Sequence, residues 1–168
     1  MNGTAAAAVE TRIGTIGIEA TETGVRRLRL PGEGRTPVAE HGNGRAAGNV
    51  STAAAQVAEY ARGERERFEV TLDWSGVEPM HRRVLEMLRE LAPYGTTVTY
   101  GELGRRAGVE DPRDVGVFMA RNPFPLVIPC HRVVASDGLG GFGGGLELKT
   151  QLLELEGALP PRLDLGDV

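Results

Sequence analysis

The stretch Ile128-Pro129-Cys130-His131-Arg132-Val133 places the only cysteine of this 168-residue chain directly before a histidine, at the end of an apolar run. A thiolate is a strong nucleophile, and a neighbouring imidazole can take up the thiol proton near neutral pH, directly or through a water molecule. A single cysteine in an apolar segment can equally be a small buried hydrophobic residue. Cys130 and His131 are therefore a candidate catalytic pair that the surrounding sequence must support.

A glycine-rich segment follows this pair. Glycine occupies six of the eight positions from 138 to 145, and a helical pattern of leucines follows over residues 146–156. Glycines permit positive φ angles and a close approach of the backbone to a ligand. A phosphate-binding loop is not supported, because the chain lacks the Gly-Lys-Ser/Thr run of such loops; a flexible linker is the other alternative. Apolar, patterned segments on both sides favour a loop inside a domain.

The motifs of the second half resemble the O6-alkylguanine-DNA alkyltransferases, also called methylated-DNA–protein-cysteine methyltransferases. Besides the cysteine motif and its glycine turn, they are Tyr100-Gly101-Glu102-Leu103, Asn122-Pro123 and Leu152-Leu153-Glu154-Leu155-Glu156-Gly157. The resemblance is strong over residues 76–157 and weaker back to about residue 11. It implies DNA repair, in which an alkyl group passes from O6-alkylguanine in double-stranded DNA to Cys130, directly, irreversibly and once per molecule.

The resemblance further implies that no cofactor and no metal are needed, and it makes O4-alkylthymine a second candidate substrate. The principal alternative is a non-catalytic, alkyltransferase-like sensor that flips and binds O6-alkylguanine. Such proteins lack the cysteine, which this chain has. A Cys-His hydrolase of small substrates is a third class, and it would leave the helix-turn-helix pattern described below unexplained.

The resemblance assigns catalytic roles to four residues. Cys130 corresponds to the alkyl acceptor, and His131 to the base that takes its proton through water. Glu156 corresponds to the carboxylate that orients the imidazole, and Asn122 to the residue that braces the site. Taken alone, Glu156 also fits a helix-surface acid and Asn122 a turn residue before a proline. Their joint order along the chain favours the catalytic interpretation.

The resemblance also assigns DNA-binding and pocket residues. Tyr100 and Gly116 correspond to positions that contact DNA, and Arg113 to the side chain that enters the duplex when a base is flipped out. Taken alone, Tyr100 also fits a packed aromatic residue and Arg113 an exposed residue of a first helical turn. The expected substrate pocket consists of Met119, Pro129, Val133, Phe142 and Gly143, with main-chain groups of Cys130 and Val133 reading the guanine edge.

Several positions depart from the family pattern. The segment between Cys130 and Phe142 is one residue shorter than usual, and Phe142 replaces a tyrosine that is often found there. Gly143 keeps a backbone N–H that could reach O6 but offers no side-chain hydroxyl. Asp111 and Asp114 flank Arg113, where small neutral residues are expected on a helix that faces DNA; helix capping and the helix dipole explain them without DNA.

The pattern of the first half predicts a small α/β domain. Residues 13–30 form a hairpin with its turn at 21–24, residues 53–61 a helix capped by Asn49 or Ser51, and Phe68, Val70 and Leu72 a strand. With the resemblance, we expect a disordered tail over 1–10 and a ribonuclease H-like α/β domain over 11–75, with a mobile loop near 31–50. A winged helix-turn-helix-like domain over 76–157 and a tail over 158–168 complete the expected α/β fold.

The pattern of the second half predicts short helices with tight connections. An apolar face runs from Met80 to Leu91, residues 96–99 form a strand, and residues 102–107 a helix that Gly108 ends. Asp111 and Pro112 supply the cap and first position of the next helix. Two helices joined by so short a turn indicate a helix-turn-helix, with an ordinary helical hairpin as the alternative.

Charge and composition place limits on partners. The net charge of −4 does not give the basic surface expected of a strong DNA binder, so positive charge must act locally, from the arginines of the second half. One cysteine excludes an internal disulfide, and three scattered histidines do not suggest a zinc site. With no apolar stretch long enough to span a bilayer and no secretory signal, we expect a cytoplasmic, monomeric protein.

Overall fold

The computed structural model describes residues 3–35, 42 and 44–161 and has a mixed α/β architecture. Its elements in chain order are β1 (Thr4–Thr11), β2 (Gly14–Thr21), β3 (Val25–Arg29), α1 (Gly44–Ala61), α2 (Pro79–Leu91), β4 (Val98–Thr99), α3 (Tyr100–Ala107), α4 (Pro112–Ala120), a 3₁₀ turn (Cys130–Arg132), β5 (Val133–Val134) and α5 (Leu146–Leu155). None of the described helices is long and apolar enough to cross a membrane.

The first half is an antiparallel sheet in the order β1-β2-β3, with α1 packed against it. Ile16 and Ile18 point from β2 into the core, where they are fully buried, and α1 buries Val57 and Tyr60. The predicted hairpin is confirmed as β2 and β3. The predicted disordered tail is wrong for residues 4–10, because β1 pairs with β2 along its whole length, from Thr4 opposite Thr21 to Thr11 opposite Gly14.

Helix α1 is longer than its sequence pattern indicates. It begins at Gly44, so residues 44–50 are helical and do not belong to the mobile loop predicted near 31–50, of which residues 36–41 and 43 lie outside the described part. Asn49 does not cap the helix. Its Nδ2 donates to the carbonyl of Thr21 at 2.9 Å. The contact joins Asn49 to Thr21 at the end of β2, a residue distant in sequence, so a local pattern does not predict it. The start of α1 was missed because glycines at 44 and 48 weaken the local helix pattern.

The predicted strand at Phe68–Leu72 is wrong. This segment is extended but makes only an isolated bridge, between Leu72 and Val25. The side chain of Gln56 on α1 takes the place of a neighbouring strand, since it accepts from the N–H of Glu69 at 2.8 Å and donates to the carbonyl of Glu69 at 3.1 Å. Main-chain groups must find a partner, and here a side chain supplies it.

The second half consists of short helices around a two-stranded parallel sheet, in which Val98 of β4 pairs with Val133 of β5. The predicted ends of α3 and α4 are confirmed. Gly108 ends α3 in the left-handed region at φ 82°, and the Asp111 side chain caps α4 by accepting from the N–H of Arg113 at 2.9 Å. The apolar face of α2 is narrower than predicted, because Met80 is 43% exposed.

The segment 73–75 connects the two halves and contacts both of them. The buried carboxylate of Asp73 accepts from the hydroxyl of Thr21 at 2.6 Å and from the N–H of Ser75 at 3.0 Å. Trp74 packs edge-on against Phe124 of the second half, with ring centroids 5.1 Å apart. As a result the core is continuous across both halves.

We expect Thr21→Val to destabilise the protein by about 1–3 kcal/mol, because it leaves the buried Asp73 carboxylate without its closest donor. The Thr21 hydroxyl is the main cause that lowers the pKa of Asp73. A lowered pKa stabilises the fold above the ordinary carboxyl value, so the deficit should shrink as the pH falls below about 4. Urea denaturation of both proteins at several pH values measures this loss of stability. Thr15→Val, which removes an exposed hydrogen bond to Glu10, is the control and should leave the midpoint unchanged.

Candidate active site

Cys130 lies at the wall of a cavity of about 370 Å³. The 3₁₀ turn that begins at Cys130 follows directly from Pro129 and places the thiol where it is only 7% exposed. The cavity is lined by Leu30, Glu33, Tyr100, Gly116, Met119, Ala120, Asn122, Pro125, Cys130, Gly141, Phe142 and Gly143. A single nucleophile therefore faces a compartment of the size of a small organic group or a nucleobase.

His131 is completely buried beside Glu156. Its Nε2 makes a very short hydrogen bond to Oε1 of the carboxylate, and its Nδ1 has no hydrogen-bond partner among the described residues. A carboxylate only accepts, so Nε2 carries the ring proton and Nδ1 carries the lone pair. This is the tautomer in which the imidazole can act as a base through Nδ1.

Glu156 is held by two further donors. Arg132 contacts both carboxylate oxygens through Nε, at 3.0 and 2.9 Å, and donates from Nη1 to the carbonyl of Ala92 at 2.8 Å. The hydroxyl of Tyr60, on α1 of the first half, donates to Oε1 at 3.1 Å. Burial raises the pKa of Glu156, but the donors and charges of His131 and Arg132 outweigh burial and hold this pKa below its ordinary value. The carboxylate is therefore ionised.

The thiol is protonated at rest. Burial raises the pKa of Cys130 to about 11, against opposing effects of a hydrogen bond to Asn122 and of the Lys149 charge. Burial also lowers the pKa of His131, more than Glu156 raises it, so the imidazole is neutral. A neutral base close to a protonated thiol is the arrangement that general-base activation requires.

Asn122 makes two hydrogen bonds to the main chain of the loop that precedes Cys130. Its Nδ2 donates to the carbonyl of Ile128 at 2.9 Å, and its Oδ1 accepts from the N–H of Phe124 at 2.9 Å. These bonds fix the loop that leads to Cys130, while the Asn122 side chain also contacts the thiol.

Lys149 of α5 holds the glycine loop from inside. Its side chain is fully buried, and Nζ donates to the carbonyls of Val133, Leu139 and Gly141. Burial lowers the pKa of Lys149 to about 8. One ammonium group thus satisfies three main-chain acceptors and fixes the loop against β5.

Tyr100 forms the opposite wall. Its hydroxyl donates to the carbonyl of Gly141 at 3.2 Å, and its ring lies against Gly140, where a Cβ would stand 2.9 Å from the ring. Gly140 also has φ +73°. No other residue type fits there without moving the tyrosine or straining the backbone.

Seven of the twelve predicted site residues line the cavity, and five do not: His131, Glu156, Val133, Pro129 and Arg113. Val133 is fully buried, and its carbonyl accepts from Nζ of Lys149; its role in reading the guanine edge stays a prediction. Pro129 lines a separate groove of about 790 Å³. Arg113 is 90% exposed outside the cavity and paired with Asp111, with Nη2 2.8 Å from Oδ2.

Four side chains at or next to the cavity were not predicted as site residues from the sequence. Arg132 is counted there among the arginines available to DNA, yet it is buried against Glu156. Tyr60 and Glu33 lie in the half without motifs. Lys149 interrupts the leucine pattern of α5, and this charged residue at a core position is the one signal that points to a buried role.

Comparison with known proteins agrees with this geometry. Residues 79–158 match the family described as the DNA-binding domain of 6-O-methylguanine DNA methyltransferase. Over 135 residues, 80% of this chain and 97% of the relative, the sequence is 48% identical to the methylated-DNA–protein-cysteine methyltransferase of Methanopyrus kandleri. The chain belongs to the methylated-DNA–protein-cysteine methyltransferase family.

Other relatives of this methyltransferase family member extend the comparison. A DNA base-flipping protein of Thermus thermophilus is 44% identical over 151 residues, covering 89% of this chain and 97% of the relative. The fold is similar to that of Mycobacterium tuberculosis O6-methylguanine methyltransferase, with a TM-score of 0.77 and 32% identity over 98% of this chain and 99% of that chain. It is also similar to Mycobacterium tuberculosis OGT in complex with DNA, with a TM-score of 0.78 and 32% identity over 91% of this chain and 92% of that chain.

We expect Tyr60→Phe to destabilise this methyltransferase by about 1.5–3 kcal/mol, because hydrogen bonds to buried charged groups are the strong ones and the ring itself is retained. Denaturant melts measure the change. The matched control is Tyr94→Phe, which removes a hydroxyl bonded at 3.3 Å to the carbonyl of Leu155 at a half-exposed position. Equal losses in the two variants would contradict a special role for the Tyr60 hydroxyl.

Proposed function

We propose that the protein repairs O6-alkylguanine in double-stranded DNA by transferring the alkyl group to Sγ of Cys130. The observation that carries this proposal is the buried Nδ1 of His131, which has no partner in the part of the chain that the structure describes and whose Nε2 is fixed by Glu156; the adjacent residue in the chain, Cys130, lines the cavity. Family membership supports the same reaction, since the Methanopyrus kandleri relative is named for it.

The reaction needs only groups that the site contains. His131 takes the thiol proton at Nδ1, through one bridging water, and Glu156 stabilises the imidazolium that forms. The thiolate attacks the alkyl carbon, so the Sγ–C bond forms as the C–O6 bond breaks. The electron pair of that bond stays on the guanine, which takes up one proton at N1; this proton balances the one that the thiol gave to His131, and the imidazole returns to its neutral form. Because the thioether has no route back to a thiol, each molecule reacts once.

The expected contacts with DNA follow from α3 and α4. We assign these helices to a winged helix-turn-helix-like unit over residues 76–157, following a ribonuclease H-like unit over 11–75. Tyr100 and Gly116 line the cavity that contains Cys130, so a base flipped into the cavity would lie against them. Arg113 stands at the exposed start of α4, where it would fill the space that the base leaves. The monomeric state and the cytoplasmic location stay predictions of the sequence.

A non-catalytic lesion sensor is the second candidate. Among the relatives, the Thermus thermophilus base-flipping protein represents this class, while the methyltransferase relatives favour transfer. Cys130 decides between the candidates, because a sensor would leave the alkyl group on the DNA. Intact-protein mass spectrometry after incubation with a duplex that carries one O6-methylguanine should show the gain of one methyl group, mapped to Cys130.

We predict that Cys130→Ser abolishes this mass gain while binding of the O6-methylguanine duplex persists, because an alcohol is far harder to deprotonate than a thiol under the same base. Mass spectrometry and fluorescence anisotropy provide the two measurements, with an unmodified duplex as the binding control. A methyl group still gained by the variant would refute Cys130 as the acceptor. An unmethylated wild-type protein that binds the lesion would establish the sensor.

We predict that Arg113→Ala slows transfer from duplex DNA at least about tenfold, and transfer from the free base O6-benzylguanine much less, because only the duplex requires base flipping. Rapid-quench kinetics on the two substrates give the comparison. Arg62→Ala is the control, since Arg62 is also exposed and paired with an acid, Glu64, but lies in the first half, outside the helices assigned to DNA binding. If Arg113→Ala reduces both rates equally, Arg113 supports the pocket or the fold and not the flipped state.

A further inference from the structure

The cavity contains one side chain that the reaction does not use, the carboxylate of Glu33. It belongs to the turn after β3, in the half of the chain without motifs, yet it lines the cavity together with Cys130. Among the described lining residues it is the only charged one. An acid that stands alone among apolar and neutral polar groups in a binding cavity affects every ligand that enters.

The position of Glu33 is fixed by its own turn. Its N–H donates to the carbonyl of Leu30 at 3.1 Å, and its Oε2 accepts from the N–H of Leu30 at 3.2 Å. The other oxygen, Oε1, points across the cavity to the glycine loop. It lies 3.0 Å from the point where a Cβ on Gly143 would stand. Gly143 therefore leaves room that the carboxylate fills, and any side chain at position 143 would have to displace it.

We propose that Glu33 determines which alkyl groups the site accepts, by favouring neutral groups over anionic groups such as carboxymethyl. The proposal rests on the proposed function, since it concerns the adduct that is transferred. The reacting carbon must lie at Sγ of Cys130, so whatever the alkyl group carries beyond that carbon meets the remaining cavity wall. A second carboxylate placed there would be repelled by the partly buried carboxylate of Glu33.

The charge of Glu33 also acts on the nucleophile. After burial and the hydrogen bond to Asn122, it is the next cause of the shifted pKa of Cys130, and it raises that pKa. Removing the charge should make the thiolate easier to form for every substrate. This common effect cancels when the rates for two adducts in the same variant are divided, whereas the effect on selectivity does not.

The test compares O6-methylguanine and O6-carboxymethylguanine, each placed at the same position of the same duplex, in single-turnover kinetics. We expect the wild-type protein to react faster with the methyl adduct. In Glu33→Gln, which keeps the shape and removes the charge, the ratio of methyl to carboxymethyl rates should fall by about tenfold. In Glu33→Lys the ratio should fall further. Glu10→Gln, the same charge change on β1 and outside the cavity residues, should leave the ratio at the wild-type value.

The outcomes separate this inference from the proposed function. If the wild-type protein transfers the methyl group and both Glu33 variants keep its ratio, the selectivity role of Glu33 is overturned and the repair function stands. If the wild-type protein transfers no methyl group, the proposed function itself fails. Reaction with free O6-benzylguanine verifies that each variant retains a folded site, and a ratio that shifts in Glu10→Gln as well would assign the effect to net charge and overturn the inference.

Discussion

The carboxylate of Glu156 is buried, and side chains from both halves of the molecule bind it. A buried carboxylate is tolerated only if donors surround it, and here they come from three places: Tyr60 on α1, and the neighbours His131 and Arg132. Arg132 is itself tied to Ala92, at the end of α2. One charge therefore fixes the approach of the two halves, the start of β5 and the tautomer of the catalytic imidazole.

Burial of Cys130 keeps its thiol in the protonated, unreactive form. With the pKa of Cys130 near 11, almost no thiolate exists at neutral pH, and thiolates are the form that oxidants attack. A protein that reacts once gains from a resting thiol, because an oxidised cysteine would end its function. On the proposed mechanism, the neutral His131 is the base that forms the thiolate.

Local sequence signals predicted the parts of the fold that local interactions decide. Gly108 and Asp111 mark the ends of α3 and α4 because a positive φ angle and a side-chain cap are properties of single residues. The cysteine motif gave Cys130 and His131 for the same reason. The predictions that were wrong concern segments whose structure is decided by residues distant in sequence. The alanine-rich β1 is a strand because β2 lies beside it, and Phe68–Leu72 is not one because Gln56 occupies its ladder position.

The residues that sequence analysis missed show how the two halves divide the work at the site. The second half carries Cys130, His131 and Glu156 within one continuous match to the family, residues 79–158. The first half carries no motif, but it supplies the Tyr60 hydroxyl that holds the carboxylate and, through Leu30 and Glu33, one wall of the cavity. A wall built from a turn can change without disturbing the buried ion pair, since turns tolerate substitution better than cores do. On our proposals, the second half therefore supplies the reacting groups, while the turn after β3 determines which alkyl groups are accepted.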